Sequence, residues 1–189
     1  MLDTVAAHRY LYQFLKARVN LDQLEQWLYS HEELEEILGK EHYYQFITRD
    51  YKSKYANSET QKQIRLLPIK IGFYEQERII ISLTELLEKP EYYFEILDSL
   101  YDDYCDGYSF LRYIAMSYAS TLDEERIFLK QNHVAMNRYR EKLNDEAKRI
   151  LGFFHNKQLF IEAEHEYIDL RAEKDRIEIL RINEMLNDR

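Results

Sequence analysis

Asp102, Asp103 and Asp106 stand in the run DDYCD, a DDxxD spacing. On a helix, residues i and i+4 share a face, and hard cations such as magnesium take carboxylate oxygens. The spacing is therefore one that could hold a metal ion. Cys105, the only cysteine, lies inside the same run, and Tyr101, Tyr104 and Tyr108 punctuate it. A thiol flanked by carboxylates is a poor nucleophile, because negative neighbours disfavour the thiolate. Cys105 is expected to be buried and inert at a helix end. His31, His42 and His165 lie among acidic residues but lack the HxxxH or HxxE spacing of a zinc site.

Enzymes that use DDxxD on isoprenoid diphosphates also need a second acidic motif, a large apolar cavity and a longer chain. No second motif is visible, and 35 acidic residues make a chance match ordinary. A second candidate is Arg149 with His155, an R-x5-H pattern on a predicted helix. It resembles the motif of HEPN ribonucleases, all-α domains in which Arg and His from two protomers cleave RNA. Ile150 stands where that family usually has a polar residue. The simpler reading makes Arg149 solvated and His155 a residue favoured by the negative end of a helix. No metal site, no cofactor and no enzymatic activity are expected.

These residues need helices to position them. Four glycines and two prolines in 189 residues leave little material for hairpins or phosphate-binding loops. Hydrophobic residues at 46% with 32% charged residues describe a folded chain. The expected architecture is all-α or nearly so, one multi-helix domain over residues 1–189, with a short β-ribbon or a continuous helix near residues 158–168. Leu159, Ile161 and Ala163 alternate there with Phe160, Glu162 and Glu164.

Start and stop signals divide the rest. Residues 5–18 form an amphipathic pattern with Val5, Tyr12, Leu15 and Val19 near one face. Asn20 with Gln23 reads as a capping box, and Ser30 with Glu33 repeats the signal. Gly39 stops the next helix, Ser58 with Gln61 opens another, and Pro68 or Gly72 breaks it. Helices are expected over Glu75–Glu88, from Pro90 to about Asp106, over Ser109–Ala119, from Thr121 onward, over Asn132–Phe154, and finally over Ala172–Leu186. Gly107 is the expected left-handed end of the helix before it. Trp27 is expected in the core.

Net charge is −9, which disfavours a nucleic-acid partner that uses the whole surface. The charge is uneven. Ten carboxylates between Ile71 and Asp106 face only Arg78 and Lys89, so this block carries nearly all of the imbalance. Seventeen tyrosines are many for this length, and tyrosine offers large contact area at small entropy cost. An acidic face with tyrosines suits a basic protein partner. No apolar run approaches the roughly 20 residues of a membrane span. The opening MLDTVAAHRYLYQFLKARV carries Asp3, His8 and Arg9 where a signal peptide needs apolar residues. A cytoplasmic protein without a membrane partner is expected.

Four stretches together resemble a known group: VNLDQLEQWLYSHEELEEILGKEHYYQFITRDYKSK (Val19–Lys54), IGFYEQERIIISLTELL (Ile71–Leu87), DDYCDGYSFL (Asp102–Leu111) and EYIDLRAEKDR (Glu166–Arg176). They are similar to small helical candidate immunity proteins of polymorphic toxin systems in low-GC Gram-positive bacteria. The likeness covers most of residues 19–176. It implies a protein without an active site that binds a cognate, basic toxin domain and blocks its cleft. Asp98, Asp102, Asp103 and Asp106 would then be charge partners, and Tyr101, Tyr104 and Tyr108 anchors. The alternatives are an HEPN-like ribonuclease and a helical scaffold or regulator.

Overall fold

Helices claim most of the chain because apolar residues recur at helical spacing and few residues break the pattern. The computed structural model describes residues 2–176. Ten α-helices and one two-stranded ribbon are found among them: α1 Thr4–Leu15, α2 Leu21–Ser30, α3 Leu34–Leu38, α4 Lys40–Ile47, α5 Ala56–Leu66, α6 Ile71–Glu88, α7 Tyr93–Cys105, α8 Arg112–Ala119, α9 Asp123–Gln131, α10 His133–His155, β1 Leu159–Ala163 and β2 Glu166–Asp169. The expectation of a nearly all-α fold with a short ribbon holds. No helix among the described residues is long and apolar enough to cross a membrane.

The chain divides into two compact units, Met1–Tyr74 and a second that begins at Glu75. Each has its own apolar core, where the sequence suggested one domain. In the first unit, α1 buries Ala7, Leu11 and Phe14 with Leu24 and Leu28 of α2, Leu34 of α3 and Ile64 of α5. Asn20 and Gln23 make the expected reciprocal cap, with Asn20 Oδ1 accepting from Gln23 N–H at 2.8 Å. Trp27 is half-buried and stacks on Tyr10, ring centroids 4.4 Å apart.

Several local expectations are corrected. Val5 is 49% exposed, since Ala7 and Leu11 already fill the inward stripe of α1. Ser30 does not cap α3; it is the last residue of α2, and its hydroxyl donates back to Gln26 O at 2.6 Å. Ser58 lies inside α5, which starts at Ala56. Gly72 breaks nothing, because it occupies the first turn of α6, where missing backbone hydrogen bonds are normal anyway. Thr121 donates to Ser117 O and Tyr139 OH instead of opening α9; Glu125 accepts from Leu122 N–H there. At the end of the chain, Glu173–Asp175 is a single 3-10 turn, and residues 177–186 of the expected last helix lie outside the described residues.

The second unit holds the residues of interest. Helix α8 packs on α7, α10 packs on α8 and α9, and β1 lies against α10. Leu97, Leu100, Leu111, Ile114 and Ile150 are fully buried between them. Each such side chain contributes roughly 1.5–3 kcal/mol of transfer free energy. The antiparallel ribbon pairs Leu159 with Asp169 and Ile161 with Tyr167, and the buried Leu159 and Ile161 face the core as their alternation predicts.

Far-ultraviolet circular dichroism should be dominated by helix. Leu97→Ala should lower unfolding free energy by about 2–5 kcal/mol in a denaturant titration, because the cavity adds to the lost transfer term. A change below about 1 kcal/mol would show that this core is not packed as described.

Candidate functional site

Helix α7 ends where the acidic run lies. Asp106 is its last, capping residue and Gly107 follows with φ +113°. Gly107 N–H donates to Tyr104 O at 3.1 Å, and Tyr108 N–H donates to Asp103 O at 3.2 Å. This is a Schellman stop with glycine in the left-handed position that L side chains resist. After it, Tyr108 enters the core and a 3-10 turn, Ser109–Leu111, leads into α8. The run is thus the joint between α7 and α8.

At 100° per residue, a helix sends neighbours in sequence to different faces. Asp103 points inward and is 5% exposed. Arg78 of α6 meets it with two hydrogen bonds, Nη1 to Oδ2 at 2.9 Å and Nη2 to Oδ1 at 2.6 Å. Glu75, one turn earlier and fully buried, accepts from the same guanidinium at 2.8 and 3.2 Å. Burial works against the charged guanidinium, but the bonds and charges of Asp103 and then Glu75 outweigh it and raise the Arg78 pKa. The expectation that Asp103 faces solvent is therefore corrected: an internal cation claims it. The sequence carried one signal for this, the single arginine of the acidic block, three residues after Glu75.

Tyr108, expected as a surface anchor, is also corrected. It is fully buried, and its hydroxyl accepts from His165 N–H at 3.0 Å at the turn of the ribbon. Burial raises its pKa. Ser109 Oγ and Tyr167 OH lie 2.5 Å apart, and Gln76 Oε1 accepts from Ile161 N–H at 3.0 Å. The ribbon is fastened to the joint and to α6 by these bonds.

The opposite face of α7 is acidic. Glu95, Asp98, Asp102 and Asp106 are exposed and recur at intervals of three or four. None of them pairs with a cation among the described residues. Asp98 accepts from Tyr118 OH at 2.8 Å, and Tyr118 is pushed up to about 12 by burial and then by this bond. Tyr101 and Tyr104 are half-buried beside the row; Tyr104 OH accepts from Arg112 at 3.3 Å. Cys105 is exposed, not buried as expected, because it lies one turn after Asp102 on the same face. A hydrogen bond with its sulfur is the leading cause of a raised Tyr101 pKa. With Asp103 turned inward, the DDxxD carboxylates diverge. Among the described residues no three His, Cys, Asp or Glu side chains converge on a metal position.

Arg149 is not solvated. It grips the fully buried Glu146 through Nε at 2.7 Å and Nη2 at 2.6 Å, and Nη1 donates to Asp175 O at 2.5 Å. His155 is exposed at the last residue of α10, as its dipole predicts. His31 pairs with Trp27 O at 2.9 Å, and His165 serves the ribbon turn with φ +66°. A further pair, Arg171 and Asp169, closes the end of β2 at 2.9 Å. Burial raises the Asp169 pKa, but hydrogen bonds and charge from Arg171, then charge from Arg176, outweigh it and hold the group low.

Comparison with family models, with curated proteins and with solved structures gives no match for this chain. What stands is a mostly helical protein with one acidic, tyrosine-flanked helix face.

Two measurements separate the inner and outer aspartates. Asp103→Ala leaves Arg78 and Glu75 short of a buried partner and should cost about 3–5 kcal/mol of stability. Asp102→Asn should change it by less than about 0.5 kcal/mol. Equal effects would sink the inward assignment. In an alkaline titration, the stability carried by Tyr118 should be complete below pH 10, the ordinary tyrosine value, and be lost as pH rises towards about 12. Tyr118→Phe should remove that part of the pH dependence.

Proposed function

We propose that this protein is a binding protein of the immunity type, which neutralises a cognate basic toxin domain by protein–protein contact through the exposed face of α7. The observation that carries this reading is the row Glu95, Asp98, Asp102 and Asp106, left without cationic partners among the described residues. Like charges one turn apart repel by a few tenths of a kcal/mol per pair. Some carboxylates elsewhere in the second unit do find a cation: Glu85 pairs with Lys89, Glu146 with Arg149 and Asp169 with Arg171. A row kept unmatched and solvent-facing suits a basic surface brought by a partner, since carboxylates can stand in for phosphates and speed encounter.

Asp98, Asp102 and Asp106 are the charge partners in this reading, with Tyr101 and Tyr104 as flanking contact area. Asp103 and Tyr108 position the face from inside. The mechanism calls on no cofactor or nucleic acid, and it places the protein in the cytoplasm of the toxin's producer. The R-x5-H alternative draws no support from Arg149, whose guanidinium is engaged with Glu146.

The test needs a basic toxin domain, to be sought among the genes that neighbour this protein's own. Asp102→Lys with Asp106→Lys should leave the melting temperature nearly unchanged, slow association about tenfold or more, and flatten its dependence on salt. Cells that carry the reversed variant should lose protection against that toxin. Protection and association equal to the parent would refute the assignment of this face.

A further inference from the structure

A second surface in the same unit carries charge of both signs. A cavity of about 440 Å³ lies between the start of α7 and the start of α10, and its walls include Glu91, Glu95, Lys130, His133, Asn137 and Arg140. His133, Asn137 and Arg140 recur at helical spacing on one face of α10, and Lys130 precedes them on α9. Neither Lys130, His133 nor Arg140 has a carboxylate partner among the described residues, in a chain whose net charge is −9. Arg140 lies over the Tyr93 ring at 5.0 Å and Lys130 over the Phe94 ring at 5.4 Å. Such contacts hold a cation in place but supply no counter-charge. The buried Nε of Arg140 has no hydrogen-bond partner among the described residues. The first turn of the 23-residue α10, whose N–H groups favour an anion, begins at the same wall.

We infer that this cleft binds a phosphorylated, hydroxyl-bearing small molecule of the sugar phosphate class. Lys130, His133 and Arg140 would take the phosphate, and Glu91 and Glu95 would accept hydrogen bonds from hydroxyl groups. The two carboxylates select this class. A bare anion leaves them facing it, whereas a ligand that is anionic at one end and rich in donors at the other satisfies both walls. A nucleotide fits less well, because Tyr93 and Phe94 are buried and offer no open face for a base. The volume matches that of ordinary small-ligand sites. This inference does not rest on the toxin-binding reading, whose charge partners Asp98, Asp102 and Asp106 lie further along α7; Glu95 alone belongs to both surfaces.

Isothermal titration calorimetry with glucose 6-phosphate is the test, with inorganic phosphate and glucose for comparison at constant ionic strength. Glucose 6-phosphate should bind more tightly than inorganic phosphate, and glucose should give no signal. Lys130→Gln, an exposed change that gives up only the contact with the Phe94 ring, and Arg140→Gln should each weaken glucose 6-phosphate roughly tenfold or more. Glu95→Gln should weaken glucose 6-phosphate and spare inorganic phosphate. Binding no stronger than that of chloride, or variants that bind like the parent, would overturn the site. Equal loss of both ligands in Glu95→Gln would overturn the sugar assignment.

Discussion

The second unit depends on a buried cation shared by two acids. Arg78 lies between Glu75 and Asp103, all three nearly removed from solvent, and ties α6 to α7. Taking three charges out of water costs several kcal/mol per ion, and only close, directional bonds offset it. The bonds here run from 2.6 to 3.2 Å and use both carboxylates. The interaction is less a source of stability than a constraint. Any register that separated Asp103 from Arg78 would bury an unmatched charge, so the rotation of α7 about its axis is set.

Much of the remaining arrangement follows from that rotation. With Asp103 inward, Asp98, Asp102 and Cys105 turn outward, and Asp106 is exposed as the cap at the end of the helix. The Schellman stop at Gly107 then turns the chain so that Tyr108 enters the core directly after an exposed residue. Its hydroxyl receives the ribbon turn, which Ser109 and Gln76 also hold. One short run therefore does three jobs: it anchors α6, stops α7 and seats the ribbon, while its outer side chains form the acidic face.

Charge is also segregated by role. Arg78, Arg149 and Arg171 are spent on buried or half-buried carboxylates and hold the architecture. Lys130 and Arg140 rest on aromatic rings near the other end of α7, still able to meet an anion. The acidic row and the cationic wall of the cleft both hold charges that lack an ion-pair partner among the described residues. Charges that no internal partner neutralises remain available to a partner from outside.

Helix content, the capping box at Asn20 and the stops at Gly39 and Gly107 were legible in the sequence, because each depends on residues within a few positions of one another; at residues 158–168 the alternation left ribbon and helix open, and the structure decides for the ribbon. So was the acidic block, a matter of composition. Which aspartate faces inward was not. Asp102, Asp103 and Asp106 are chemically alike and lie in one run, and only the distant Arg78, 25 residues away in the chain, distinguishes them. Tyr108 looked like Tyr104 for the same reason until the ribbon, 57 residues later, supplied its partner. The cleft, too, joins residues around Pro90–Glu95 to residues around Lys130–Arg140, and no local pattern brings them together. Local spacing determined the elements; long-range contact decided which of their like residues are structural and which remain free to bind.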